Sequence, residues 1–113
     1  QIVEQTCLSL IRVFMGYTPN HFALEYLFML CEYFTTLTAD FFPRHTKEDQ
    51  RIFNLLKQHP SSLRFSKCND VNYLLYQLVE ERCGEFRKQA AVLIRNEIDR
   101  LSKAENETNK INN

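Results

Sequence analysis

One apolar stretch, residues 21–34, constrains the fold of this chain more than any other part of the sequence. Between His21 and Phe34 the only acidic residues are Glu25 and Glu32, and nearly all the others are apolar or aromatic. At 3.6 residues per turn, two glutamates seven residues apart lie on nearly the same line of a helix. Apolar side chains then occupy most of the remaining circumference. The stretch predicts either the central helix of a bundle or a helix that another protein covers.

Two apolar stripes run along this predicted helix. One is suited to the domain core and contains Ala23, Leu27, Leu30, Phe34 and Leu37. The other recurs at steps of four, three and four and contains Phe22, Tyr26, Met29 and Tyr33. Because Tyr, Phe and Met are enriched at protein interfaces, the second stripe is the predicted partner-binding surface. The alternative is that neighbouring helices bury both stripes.

The first half of the chain predicts a helical hairpin. Apolar residues spaced by three and four indicate a helix over 2–15, and Gly16 suits the left-handed position that follows a helix end. Thr18 and Pro19 provide an N-cap and a first helical residue, so a second helix is expected over 19–40. Pro43 then prevents further helix.

The second half predicts a short helix and a long one. Thr46 and Asp49 form a capping-box pattern at the start of a helix over about 47–58, which Pro60 ends. An apolar stripe at steps of three and four then indicates a helix over about 69–102. Gly84 lies inside that helix, but the stripe continues in phase beyond it, which favours one continuous helix.

These segments predict an all-α fold: a four-helix, hairpin-based bundle with a long C-terminal helix. Two helical hairpins are also the arrangement of one unit of a helical-repeat array, which is a second architectural possibility. We expect a single domain over 1–101 and a polar, disordered tail over 102–113.

Composition agrees with one ordinary globular domain. The chain has 113 residues, of which 44% are hydrophobic and 25% charged, and its formal net charge is zero. No apolar run is long enough to span a bilayer, so no membrane partner is expected. The chain begins at Gln1 rather than Met, which predicts a fragment or a processed product of a larger protein.

Residues 44–67 form the only distinctly basic segment. Six Lys or Arg residues stand there against Glu48 and Asp49. Arg44, Lys47 and Arg51 are the predicted charge complements for an acidic or amphipathic partner. The alternative is a nucleic-acid-binding domain that uses the same segment, although its local charge is modest for that class.

Nothing in the sequence predicts catalysis. The two glycines cannot build a glycine-rich phosphate loop, and the three histidines and four cysteines lack the spacing of a local metal site. We therefore expect no catalytic residue, no metal ligand, no cofactor and no enzymatic activity.

The four cysteines at 7, 31, 68 and 83 allow two interpretations. Each falls where a small apolar residue would serve, which is typical of reduced core cysteines in an intracellular, cytoplasmic or nuclear protein. The alternative is a secreted protein with two disulfides, for which four cysteines permit three pairings that spacing alone does not rank.

The predicted function is that of a protein–protein interaction or dimerisation module. Its scaffold would present an aromatic helical surface to a protein or peptide partner, or to a second copy of the chain. Helical bundles support many functions, so this prediction depends on the surface rather than on the fold.

Overall fold

The computed structural model describes residues 2–57 and 70–112, and it describes side chains over 2–57 and 74–107. Within these ranges the chain forms five α-helices and no strand. They are α1 (Ile2–Met15), α2 (Leu24–Cys31), α3 (Leu37–Phe41), α4 (Lys47–Lys57) and α5 (Asp70–Asn112). The predicted all-α class and long C-terminal helix are confirmed.

The end of α1 follows the prediction. Gly16 has a φ of +77°, a left-handed conformation that glycine adopts without steric cost. Its backbone N–H donates to the carbonyl of Arg12 at 3.1 Å. The last turn of α1 is therefore closed by the residue that the sequence indicates.

The second helix begins later than predicted. Residues 17–23 are not helical, and α2 starts at Leu24 after the non-helical residue Ala23. The Thr18 hydroxyl, expected to cap a helix at Pro19, accepts a hydrogen bond from the Arg12 side chain instead. Pro19 is buried. The start predicted at residue 19 is wrong because this segment is used as a connection.

The path of that connection explains its length. Glu4 lines the same surface depression as Leu24, and the rings of Phe14 and Phe34 stack with centroids 4.6 Å apart. The start of α1 thus lies beside the start of α2, and the end of α1 lies beside the residues that follow α2. The two helices are parallel, so the chain must return along α1, and the tight hairpin expected here does not form.

The predicted helix over 19–40 is also interrupted in its middle. Turns follow Cys31, and helical structure resumes only at Leu37. The hydroxyl of Thr35 accepts a hydrogen bond from the backbone N–H of Leu37 at 3.1 Å, a local bond that competes with helix. Two consecutive β-branched threonines, Thr35 and Thr36, are also poor helix formers. The break is why the described chain has five helices where four were predicted.

The start of α4 confirms the capping box. The backbone N–H of Asp49 donates to the Thr46 hydroxyl, and the backbone N–H of Thr46 donates to the Asp49 carboxylate, both at 3.0 Å. The backbone N–H of His45 adds a third bond to the same carboxylate at 3.2 Å. The hydrogen bonds that the Asp49 carboxylate accepts lower its pKa, and the bond from the backbone N–H of Thr46 has the largest effect. The described part of α4 ends at Lys57, and residue 58 lies outside the described ranges.

The long helix α5 continues through Gly84, as the phase of its stripe predicts. It extends to Asn112, so the helix end predicted near residue 102 is wrong. At about 1.5 Å per residue its 43 residues span about 64 Å, close to the longest dimension of the molecule, 66 Å. Residues 102–112, which we expected to be a disordered tail, continue this helix as strong helix formers such as Lys103, Ala104 and Glu105 permit.

The core lies where the short helices meet the middle of α5. Phe86 is fully buried, and its ring meets those of Phe41 and Phe42 edge to face, with centroids 6.1 and 5.5 Å away. Phe28 of α2 is also fully buried and lies between Phe42 and Phe53. This chain of aromatic contacts connects four of the five helices, or the residues that flank them, around one core.

Candidate functional site

The outer side of α2 carries the predicted aromatic stripe, and most of it is exposed. Phe22, Met29 and Tyr33 are 50%, 43% and 75% exposed. Tyr26 is half-buried, and its ring lies 5.6 Å from that of His21. We call these four residues of α2 and its flanks, Phe22, Tyr26, Met29 and Tyr33, the aromatic face.

The opposite side of α2 anchors the helix to the bundle. Leu24, Leu27, Phe28, Leu30 and Cys31 are all buried. The predicted core stripe is therefore partly correct: Leu27 and Leu30 are buried, whereas Ala23 is exposed. Because one side of α2 is packed and the other is open, the interpretation in which neighbouring helices bury both stripes does not hold for the aromatic face.

Two ion pairs border the aromatic face on one side. Glu25 accepts a hydrogen bond from Lys57, at the end of α4, and Glu32 accepts one from Arg44, just before α4, at 2.8 Å. The hydrogen bond from Lys57 is the main cause of the lowered pKa of Glu25. Because the first glutamate pairs with the end of α4 and the second with its beginning, α2 and α4 run in opposite directions. The glutamates are thus inter-helix contacts.

Arg44 is engaged within the bundle. Its guanidinium carbon lies 5.7 Å from the Phe28 ring centroid and 5.4 Å from that of Phe53, within the range of a cation–π contact. Together with the bond to Glu32, these contacts fix the guanidinium between two rings and a carboxylate. The sequence predicted Arg44 as a charge for a partner, but its charge is already matched inside the chain.

Lys47 and Arg51 differ from Arg44. Both are exposed, and neither makes an ion pair with a residue of the described ranges. On an ideal helix they point about 80° and 120° away from Lys57, the α4 side chain that reaches α2. The seven predicted site residues therefore fall into separate groups, the aromatic face, the internal Arg44 and this exposed basic pair. The rest of the basic segment, residues 58–67, lies outside the described residues.

The described residues contain no cluster of three or more His, Cys, Asp or Glu side chains arranged to hold a metal ion. Nor, over the same ranges, is any helix both long enough and apolar enough to cross a membrane.

The roles of Glu25 and Glu32 were missed at the level of sequence. Their spacing of seven residues showed only that they share one line of a helix, and it named no partner for either carboxylate. A usable signal was present: the acidic excess of 1–43 and the basic excess of 44–67 are adjacent in sequence, as expected of two segments that pair with each other.

No known protein family model matches the chain, and no significant match was found among curated proteins or solved structures.

Proposed function

We propose that this chain is a protein–protein interaction module and that its aromatic face binds another protein. The supporting observation is the exposure of Phe22, Met29 and Tyr33 along one side of α2 while the other side is packed into the core. Single exposed apolar residues are ordinary, but a continuous row of large ones indicates an interaction site. Tyrosine suits this position because its ring can be buried while its hydroxyl stays hydrated.

The shape of the face indicates the kind of partner. The aromatic face is a ridge on the outside of α2 and its flanks, and the eight residues of the helix itself extend about 12 Å. A ridge of large side chains packs best into an apolar groove. We therefore propose that the partner is a different protein that supplies such a groove. Packing of α2 against the α2 of a second copy is the alternative, which light scattering tests.

The charges around the face support an apolar rather than an electrostatic interaction. Glu25 is matched by Lys57 and Glu32 by Arg44, so the border facing α4 carries little net charge. The same pairs weaken the nucleic-acid alternative, since two basic side chains of the 44–67 segment already bind carboxylates. Phosphate-dominated binding weakens steeply with salt, whereas binding through this face should not.

We propose binding without catalysis, and no cofactor or metal is part of the proposal. The proposed setting is intracellular, in the cytoplasm or nucleus, as the sequence predicts for a protein with reduced cysteines.

The test uses a variant that places charges on the face without disturbing the core. Met29→Asp combined with Tyr33→Asp changes two exposed side chains, and the protein should remain folded and monomeric by circular dichroism and light scattering. Val92→Asp is the matched control, because Val92 is also a large exposed apolar residue, 53% exposed, but belongs to α5 rather than to the aromatic face. Each protein is used as bait, and any protein retained by the wild type and by the Val92→Asp control is identified and purified.

The decisive measurement is the Kd of that purified protein for the three forms. We expect the double variant to bind at least tenfold more weakly than the wild type, since two anchors of a small apolar contact are lost. The Val92→Asp control should bind as the wild type does. Equal binding by all three forms, or no protein that distinguishes them, would contradict the proposal. A dimer that the double variant dissociates would replace the separate partner by a second copy.

A further inference from the structure

The parallel packing of α1 and α2 brings two cysteines together. Cys7 of α1 and Cys31, the last residue of α2, are both fully buried in the same core cluster, and the Cys7 side chain lies against that of Cys31. The contacts on either side support this placement. Glu4 lies beside Leu24 ahead of the pair, and Phe14 stacks on Phe34 beyond it. The two helices thus hold the thiols side by side.

We propose that Cys7 and Cys31 are a redox pair that forms a reversible disulfide joining α1 to α2. A disulfide requires two cysteines whose sulfur atoms can meet without a large backbone movement. The packing of α1 against α2 places the two side chains beside each other in the folded protein. Among the three cysteines that the structure describes, Cys7 and Cys31 are the two that lie together.

The reaction needs an oxidant, and we take this to be a small-molecule disulfide such as oxidised glutathione. One protein thiol loses its proton and attacks a sulfur of the oxidant, which releases one glutathione thiolate. The second protein thiolate then attacks the resulting mixed disulfide and releases the other glutathione. Two protein thiols are oxidised to one disulfide, one glutathione disulfide is reduced to two thiols, and the two protons pass to the released thiolates.

Burial controls the rate of this reaction. The interaction with Cys31, which favours the protonated Cys7 thiol, and the burial of the site raise the pKa of that thiol far above its usual range. Little thiolate is present, and glutathione cannot reach either sulfur while α1 and α2 are packed together. Oxidation therefore requires a transient local separation of the two helices. We expect slow oxidation that accelerates in a denaturant concentration below the unfolding transition.

Cys83 provides an internal comparison. It is half-buried on α5, and desolvation raises the pKa of its thiol to about 11. Within the described ranges no other cysteine is found beside it. We therefore expect Cys83 to form far less disulfide with Cys7 or Cys31 than those two cysteines form with each other. Cys68 lies outside the described residues.

Mass spectrometry tests the pairing directly. The reduced wild-type protein is equilibrated with mixtures of oxidised and reduced glutathione, free thiols are alkylated, and the protein is digested with trypsin. Arg12 lies between the two cysteines, so tryptic peptides 1–12 and 13–44 stay joined only through the proposed disulfide. We expect this joined pair to exceed any pairing with Cys68 or Cys83 by at least about tenfold, because the fold holds the two thiols together. A chain unfolded in urea should lose the preference.

Thermal unfolding supplies an independent readout. Oxidation should raise the Tm of the wild type by roughly 10 °C, because the disulfide restricts the unfolded chain. The Cys83→Ser control should keep that rise, and Cys31→Ser should lose it. Peptides 1–12 and 13–44 recovered separately at every glutathione ratio, or joined to the peptides of Cys68 or Cys83 instead, would overturn the proposal. This result is independent of whether the aromatic face binds a partner.

Discussion

Neighbouring helices bury only part of the apolar surface of α2 and of α5. The exposed part lies on one side of α2, and in α5 it lies towards one end. The eight-residue α2 has five buried residues on one side and an exposed aromatic face on the other. The 43-residue α5 carries a narrower apolar stripe, and only Val79, Phe86 and Ala90 are buried among its described side chains. The apolar surface of α2 extends around more of the helix than the neighbouring helices pack against. The apolar stripe of α5 extends further along the helix axis than the bundle reaches.

This difference shows what a helical stripe means for burial. Ile98 and Leu101 continue the stripe of α5 in phase, yet they are 50% and 45% exposed because the stripe continues beyond the bundle. In α2, by contrast, exposure is set by orientation, since Leu27 is buried and Met29 is exposed two residues away. An apolar stripe predicts which side of a helix can be buried. The positions of the neighbouring helices determine how much of that side is buried.

The largest predicted effect is at the covered part of α5. Phe86→Ala should lower the free energy of unfolding by about 3–5 kcal/mol, because it removes a fully buried ring that meets Phe41 and Phe42. Val92→Ala, at an exposed position six residues later, should change it by no more than about 0.5 kcal/mol. Urea titration followed by circular dichroism measures both. Similar losses in the two variants would mean that the covered and uncovered sides of α5 do not differ as described.

The next effect is at the edge of α2. Arg44→Met should lower the free energy of unfolding by about 1–2 kcal/mol, because the guanidinium contacts two rings and Glu32. Arg51→Met is the matched control on the exposed side of α4 and should have an effect within about 0.5 kcal/mol. The same urea titration applies. An Arg44 variant as stable as the control would show that this side chain does not help to hold α2 against α4.

A smaller effect concerns the pair of Glu25 and Lys57, whose side chains are 50% and 40% exposed. The pKa of Glu25 is lowered from 4.5, mainly by the hydrogen bond from Lys57. Because the folded-state pKa lies below the unfolded value, the pair stabilises the fold above the unfolded pKa, and this contribution is lost as pH falls through the folded pKa. Solvent screening limits it to about 0.5 kcal/mol.

Carboxyl NMR titration of Glu25 measures this effect. Lys57→Met should raise the pKa of Glu25 towards 4.5, and the stability difference between wild type and variant should vanish at the acidic end of the titration. If the pKa of Glu25 is unchanged in the variant, the ion pair with Lys57 is not the cause of the lowered pKa in the wild type.

The smallest effect on stability is expected at the uncovered end of α5. A chain that stops after Leu101 loses residues 102–113, and all the described side chains over 102–107 are exposed. Its Tm should therefore stay within about 2 °C of that of the full chain. The far-ultraviolet helical signal should fall by the contribution of the removed turns. A fall in Tm by several degrees would show that residues 102–113 pack against another part of the bundle.

Local features of the fold were the most predictable. The end of α1 at Gly16, the capping box of Thr46 with Asp49 and the continuity of α5 through Gly84 each depend on residues close in sequence. The errors have a common origin in longer-range packing. Pro19 is a good first helical residue, but here the chain must return along α1 to place α2 parallel to it. Thr35 was treated as part of a helix, but its hydroxyl binds the Leu37 N–H where the chain turns.

The candidate site shows the same division. The spacing of Phe22, Tyr26, Met29 and Tyr33 predicted one helical side, and the structure places them on the outer side of α2. No spacing rule indicated that Arg44 would be matched by Glu32 and stacked on two rings, because those contacts join residues that belong to different elements and are not neighbours on one helix. The prediction that these residues bind a partner depends on the experiments proposed above.

The sequence by itself determined the all-α class, the sides of the helices that can be apolar, and the local signals that end or cap them. These follow from backbone geometry and short-range hydrogen bonds. Only the tertiary structure decided that α1 and α2 are parallel, that Cys7 meets Cys31, that Glu25 and Glu32 hold α4, and that one stripe of α2 is exposed. These features depend on how the helices pack around one small core. An apolar side is buried only where another helix lies against it, and this bundle has too few helices to bury every apolar side.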